Sequence, residues 1–289
     1  MNYLLHISVM LEIYILLALS ANQKVGLSGL LSLAQAVFYG VGAYATAITI
    51  TKYGFSYWLA FPMAMITCVI VALLFSFIAG KVRDLYFSLA TLSMQIIFFS
   101  VAYNWIQVTN GSYGISGISN PEIFGLKINT PGSFALFGGI WVLVVILFYR
   151  WFLKTPICRL IQATRDDQLA VLSLGKNPNN YKRISIIISA VIAGIAGSMY
   201  ATYATYIDPT SFSLNESILI LSIVLIGGAG RIIEPVTGAV VYILLPELLK
   251  FMQLPDRIAA NLRMILFGLL LVLIIRFRPK GIFGKYLIQ

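Results

Sequence analysis

The sequence predicts an all-α fold: a polytopic transmembrane helical bundle of about 8–10 spans, each about 20 residues long. Three observations predict it. Of the 289 residues, 60% are hydrophobic and only 10% charged, where soluble domains carry about a quarter charged. The apolar residues gather in long continuous runs, giving a mean hydropathy of +0.91. No run shows the alternation of about ten residues that a membrane β-barrel strand requires. Helices meet the demand that every backbone polar group in lipid be bonded within its own segment.

The predicted helices run 4–20, 25–50, 57–79, 85–104, 134–150, 184–206, 216–230, 236–252 and 258–275. The first lacks a basic leader, since residues 1–10 hold no Lys or Arg, and reads as a retained span rather than a cleaved signal. The second contains Gly26, Gly29, Gly40 and Gly42, so a broken helix is expected there. The seventh ends in Gly227-Gly228-Ala229-Gly230 and reads as short or re-entrant.

Lys and Arg in the loops set the orientation. With the N-terminus outside and the C-terminus cytoplasmic, fifteen of the twenty basic residues fall on the inner side, Lys24 among them. The net charge of +10 is then a topology signal, and no aromatic-basic module or zinc pattern suggests nucleic acid. The chain reads as a single transmembrane domain, residues 1–289, that passes the membrane several times. Two polar connections stand out: an outer one over 105–133 and a charged inner one over 151–183. One histidine (His6) and two cysteines (Cys68, Cys158) supply no catalytic, metal or cofactor-binding set. No Gly-x-x-x-x-Gly-Lys-Ser/Thr loop occurs, so any ATP chemistry belongs to another chain.

Within the inner connection, Pro156 suits a helix start and Gly175 a helix stop. Leu160, Ile161, Ala163 and Thr164 fall on one face of this helix, with Arg159, Gln162 and Asp166 on another. Such a helix docks in a groove of a partner or lies in the lipid interface, and spacing alone leaves both open.

The segment Thr155-Pro156-x-Cys158-Arg159-x-x-x-Ala163-Thr164-Arg165-Asp166-Asp167-Gln168-x-Ala170, ending in Gly175, resembles the coupling loop of permease subunits of branched-chain amino acid ABC importers. Asn22-x-x-x-Gly26-x-x-Gly29-x-Leu31-Ser32-Leu33-Ala34-Gln35-Ala36-x-Phe38-x-Gly40-x-Gly42-Ala43-Tyr44 resembles the same family's second-helix signature. Arg83-x-x-Tyr86-Phe87, Thr109-Asn110-Gly111, Gly227-Gly228-x-Gly230 and Arg278-Pro279-x-Gly281 follow in the family's order. Where the family shows Gly-His, this chain has Ala34-Gln35.

The resemblance implies several partners: a homologous second permease subunit, two cytosolic ABC ATPase subunits, and a periplasmic or lipid-anchored solute-binding protein. ATP and Mg would be bound by the ATPases, so this chain is expected to carry no cofactor and to be no enzyme. It also implies ATPase coupling by Pro156, Arg159, Ala163, Arg165, Asp166 and Asp167. For the substrate path, Ser32, Gln35 and Tyr39 place polar groups at helical spacing beside the small residues, and Thr91 and Gln95 form a second stripe. Gly26, Gly29, Gly40 and Gly42 allow close backbone approach, for packing or for the path. Glu12, Glu216 and Glu247 are the carboxylates within spans. The competing readings are a permease of the same family for urea or short amides, and an ATP-independent channel or secondary transporter.

Overall fold

A computed structural model describes residues 2–79, 84–123, 126–128 and 130–250, with isolated positions from 268 to 281. The predicted ninth helix, 258–275, lies almost wholly outside these residues, as do Arg83, Arg278 and Pro279.

The described residues are predominantly helical. Helix α1 (Asn2–Asn22) passes into one π-turn, Gln23–Leu27, and then leaves helical geometry over residues 29–34. Next come α2 (Gln35–Thr51), α3 (Tyr57–Ala79), α4 (Asp84–Asn104) and a four-residue α5 (Ile106–Thr109). Helix α6 (Pro131–Phe152) precedes two short helices, α7 (Pro156–Asp166) and α8 (Gln168–Ser173). The long α9 (Pro178–Ala204) is followed by α10 (Leu214–Gly227) and α11 (Ile233–Lys250). Among the described residues, five stretches are long and apolar enough to cross a membrane: Tyr3–Leu27, Tyr57–Phe77, Tyr86–Asn104, Pro131–Phe152 and Pro178–Ala204. Leu214–Gly227 and Ile233–Leu245 are shorter apolar helices. This is the multi-pass helical membrane protein that composition predicts.

The expected break in the second helix is present, and one boundary, in the inner amphipathic helix, differs from the sequence reading. The second predicted helix is broken, with its N-terminal third replaced by the π-turn and the non-helical stretch. The inner amphipathic helix also divides, because Asp167 is extended at φ −153°, ψ 113°. Its carboxylate accepts hydrogen bonds from Leu169 N at 2.8 Å and Ala170 N at 3.2 Å. An aspartate caps a new helix more favourably than it continues an old one.

Helices α2 and α9 form the centre, and glycines set their separation. A β-carbon on Gly42 would lie 2.5 Å from Gly194 Cα. One on Gly197 would overlap the Tyr39 carbonyl oxygen. Around this pair pack α1, α3 and α10, burying Leu16, Phe38, Phe75 and Ile223. Helices α3, α4 and α6 turn Leu59, Ile66, Leu74, Ile97, Leu143 and Leu147 outward. Outward apolar rows on long spans suit acyl chains as solvent.

At one end of the bundle, β1 (Ile115–Ser116) pairs antiparallel with β4 (Tyr206–Ile207), while β2 (Glu122–Ile123) pairs with β3 (Leu126–Lys127). Lys52 Nζ donates to Val108 O at 2.9 Å on the same end. Nearby, Asp208 caps the turn Pro209–Phe212, accepting from Ser211 N at 3.3 Å and Ser211 Oγ at 2.6 Å, and from the Thr210 hydroxyl. Burial opposes ionisation of Asp208, yet these donors hold its carboxyl below the usual carboxylate value. A depressed folded value contributes stability above the ordinary carboxylate range and loses it as pH falls through the folded value. Asp208→Asn is therefore expected to flatten the drop in melting temperature below about pH 4. A wild-type slope in that variant would remove the role.

Candidate functional site: a break in the second span and the helix latched to it

Residues 29–34 expose backbone groups that a helix would satisfy internally, and the surrounding bundle supplies the partners. Leu30 N donates to Lys24 O at 2.9 Å. From α4, Ser88 Oγ donates to Leu31 O at 3.0 Å, and Thr91 Oγ1 accepts from Leu33 N at 2.9 Å. From α10, Ser217 Oγ accepts from Ala36 N at 2.9 Å and donates to Gln95 Oε1 at 2.9 Å. Gln95 Nε2 donates to Phe212 O at 2.8 Å. Thr91 and Gln95, predicted as a polar stripe, are thus brought to the break and bound into it. Non-helical backbone at membrane depth persists only where protein or an aqueous cavity satisfies it.

The other predicted path residues converge on the same place. Gln35, in the first turn of α2, donates to the Ser20 hydroxyl, while its Oε1 has no protein partner. Ser20 Oγ in turn donates to Ser189 O at 2.7 Å on α9. Ser28 Oγ and Ser185 Oγ are 2.7 Å apart, and Ser185 Oγ donates to Gln23 O at 2.9 Å. Both side-chain atoms of buried Gln23 lack protein partners. Tyr39 differs: its ring packs against Tyr200 and Phe212 at centroid distances of 5.5 and 5.0 Å, so its contribution is aromatic packing.

Lys24 is the residue that sequence reasoning misplaced. Counted as an inner loop charge, it lies in the π-turn with 1% of its surface exposed. Its Nζ is 3.2 Å from Ser32 Oγ and 4.9 Å from the centroid of the Phe38 ring. The signal was present: it falls only four residues after Ser20, where the predicted first span ends, and two before Gly26.

The predicted coupling residues form a separate unit joined to the break. Thr155 caps α7, accepting from Cys158 N at 3.3 Å, with Pro156 in the first turn. Cys158, Ile161 and Thr164 are buried on the inward face, while Arg159, Asp166 and Asp167 are exposed and Ala163 is half-buried. Arg165 points inward. Its Nη1 donates to Gly26 O at 2.6 Å, and its Nε is 3.1 Å from Asp166 Oδ1. Gly29 has φ +67°, and a β-carbon there would lie 2.5 Å from Arg165 Cγ. Gly26 packs against Gly230 N, which a β-carbon would approach to 2.6 Å. Gly40 makes room for Phe98 and Phe212. All four predicted glycines therefore serve close approach, two of them at the break itself.

Glu12 borders Gly138 of α6, Glu216 stands in the first turn of α10, and Glu247 accepts from the Tyr3 hydroxyl. Among the described residues no three of His, Cys, Asp and Glu could hold a metal ion. Burial pushes the Cys158 thiol up to about 11, and Cys68 is fully buried. The thiolate is the reactive form, so neither cysteine of the folded protein is expected to take up maleimide at pH 7. Rapid labelling before denaturation would contradict this.

A family model described as "Branched-chain amino acid transport system / permease component" matches residues 3–275. The chain belongs to this family. A permease named as the high-affinity branched-chain amino acid transport system protein LivM, from Salmonella typhimurium, is 31% identical over 299 residues. The alignment covers 96% of this chain and 69% of the relative. The Escherichia coli K12 protein of the same name has the same identity and coverage. A probable LivM of Methanocaldococcus jannaschii is 25% identical, over 78% of this chain and 67% of its own. No solved structure matched the chain. The family is one of membrane transport permeases, and this chain is a multi-pass member of it.

Proposed function

We propose that the chain is one permease subunit of an ATP-driven importer and forms half of the path for branched-chain or related amino acids. The observation that carries this reading is the latch between α7 and the broken span. A short, capped helix offers Arg159, Asp166 and Asp167 outward, while Arg165 ties its inner side to Gly26 and Gly29. A helix pushed from outside the bundle moves the break directly. The printed names of the relatives, permeases of amino acid transport systems, support the same assignment.

In this reading α7 lies on the cytoplasmic side of a bacterial plasma membrane, with the N-terminus outside and the C-terminus cytoplasmic. The partners are a homologous second permease, two cytosolic ABC ATPases that bind ATP and Mg, and a periplasmic or lipid-anchored solute-binding protein. No catalysis takes place in this chain.

Purification from detergent-solubilised membranes tests it. An ATPase chain is expected to co-purify, and Arg159→Glu to weaken its retention by about tenfold or more, as reversal of an interface charge does. Reconstituted with all partners, the complex takes up branched-chain amino acid only with ATP. A chain that purifies alone and moves solute without ATP is a channel or secondary transporter, and the reading fails.

A further inference from the structure

Lys24 is an ionisable residue inside the first membrane-length apolar stretch of the structure, Tyr3–Leu27, and is fully enclosed by protein. Among the described residues, the contacts of its Nζ are the Ser32 hydroxyl and the Phe38 ring face, neither of them anionic. Ser32 Oγ also lies 3.4 Å from Ala34 N, the residue that opens α2. An ammonium and the positive end of a 17-residue helix therefore meet at one neutral oxygen. Like signs repel there, and a buried charge without a counter-charge is costly. Neighbouring amide atoms, Gln23 Nε2 and Oε1 and Gln35 Oε1, are buried without a partner among the described residues. Such a cluster gains most from an anion with two oxygens. Interrupted membrane helices present their N-termini to anionic solute groups in the same way.

We propose that Lys24 Nζ, the Ser32 hydroxyl and the first turn of α2 receive the carboxylate of a transported α-amino acid. The carboxylate takes a charge-assisted bond from Lys24 and a hydrogen bond from Ser32, and it reverses the repulsion between ammonium and helix end. With 1% of its surface exposed, Lys24 is closed to lipid headgroups, so the anion arrives by the path. Movement of residues 29–34, the segment that Arg165 holds through Gly29, opens the site. The assignment rests on the amino-acid reading above and makes it specific to one charged group.

The test compares L-leucine with leucinamide, which lacks the carboxylate, on the detergent-purified complex of both permeases and both ATPases, without the solute-binding protein that would bind leucine itself. Thermal stabilisation by leucine is expected at a concentration about tenfold or more below that for leucinamide, as a charge-assisted bond requires. In Lys24→Met the two ligands become equivalent, while the ligand-free melting temperature stays equal or rises. Ser32→Ala, which leaves the charge, narrows the ratio and keeps the test open if the first variant does not fold. A wild-type ratio in Lys24→Met, or in Ser32→Ala where that variant stands alone, overturns the site. So does stabilisation by chloride alone to which leucine adds nothing. Uptake separates the two claims. ATP-driven leucine uptake with an unchanged ratio in Lys24→Met removes the site and keeps the importer. A Lys24-dependent ratio without ATP-driven uptake keeps the site and removes the importer.

Discussion

Replacing Gly197 with leucine is expected to abolish accumulation of the folded protein, and even Gly197→Ala to cost about 3 kcal/mol, the upper end for overpacked cores. The β-carbon would overlap the Tyr39 carbonyl oxygen and come within 2.8 Å of Ala43 N, both main-chain atoms of α2. Flexible side chains rotate away; a helix backbone does not. The added methyl must therefore push α2 and α9 apart along the crossing where a β-carbon on Gly42 would also lie 2.5 Å from Gly194 Cα. In lipid that separation is costly, because packing rather than the hydrophobic effect holds spans together. Gly132→Ala is the control. It stands in the first turn of α6, where a β-carbon meets only Leu5 Cδ1 at 3.6 Å. Better helix propensity should leave it neutral or slightly stabilised. Fluorescence-detected size exclusion and thermal melting of both variants check the pair, and equal behaviour would refute the packing argument.

What the sequence made legible was local. Thr155-Pro156 announced the start of α7, since a hydroxyl cap and a proline need only their immediate neighbours. Gly26 and Gly29 announced a break, because only a residue without a β-carbon takes φ +67° facing an arginine side chain. The division at Asp167 was also local but ambiguous: aspartate competes between helix interior and cap, and its bonds to Leu169 and Ala170 decide the matter. Lys24 was misread for a different reason. Loop charges are counted by their distance from apolar runs, and the π-turn extends the first span past Ser20 far enough to carry the lysine inward. The bonding of Gln95 was beyond reach. Its stripe with Thr91 was visible, but its partners Ser217 and Phe212 lie 122 and 117 residues away. Nothing in local spacing records such pairings, and the tertiary fold alone creates them.

Arg165→Ala is expected to sever α7 from the broken span, and Gly29→Ala to break the same link from the other side. The arginine loses a 2.6 Å charged bond to Gly26 O, about 1.5–3 kcal/mol for a hydrogen bond of this class. The guanidinium–Asp166 pair at 3.1 Å contributes little, since Asp166 is 65% exposed and water screens it. Gly29→Ala brings a β-carbon to 2.5 Å from Arg165 Cγ and holds a side chain at φ +67°, adding left-handed strain of about 1 kcal/mol. The double variant separates these parts. Truncating Arg165 to alanine removes the Cγ that the new methyl strikes, so the steric part of the Gly29→Ala penalty disappears and the backbone part remains. The two penalties are then less than additive, by about 0.5–3 kcal/mol for residues in contact. In the reconstituted importer each single variant is expected to retain the ATPase on purification, because Arg159 and Asp166 still face outward. Each should nevertheless lose about tenfold in ATP-driven uptake, the equivalent of 1.4 kcal/mol of coupling. Additive penalties would mean that the contact transmits nothing. Loss of the ATPase together with uptake would make Arg165 a docking residue, with the break in the second span no part of the linkage.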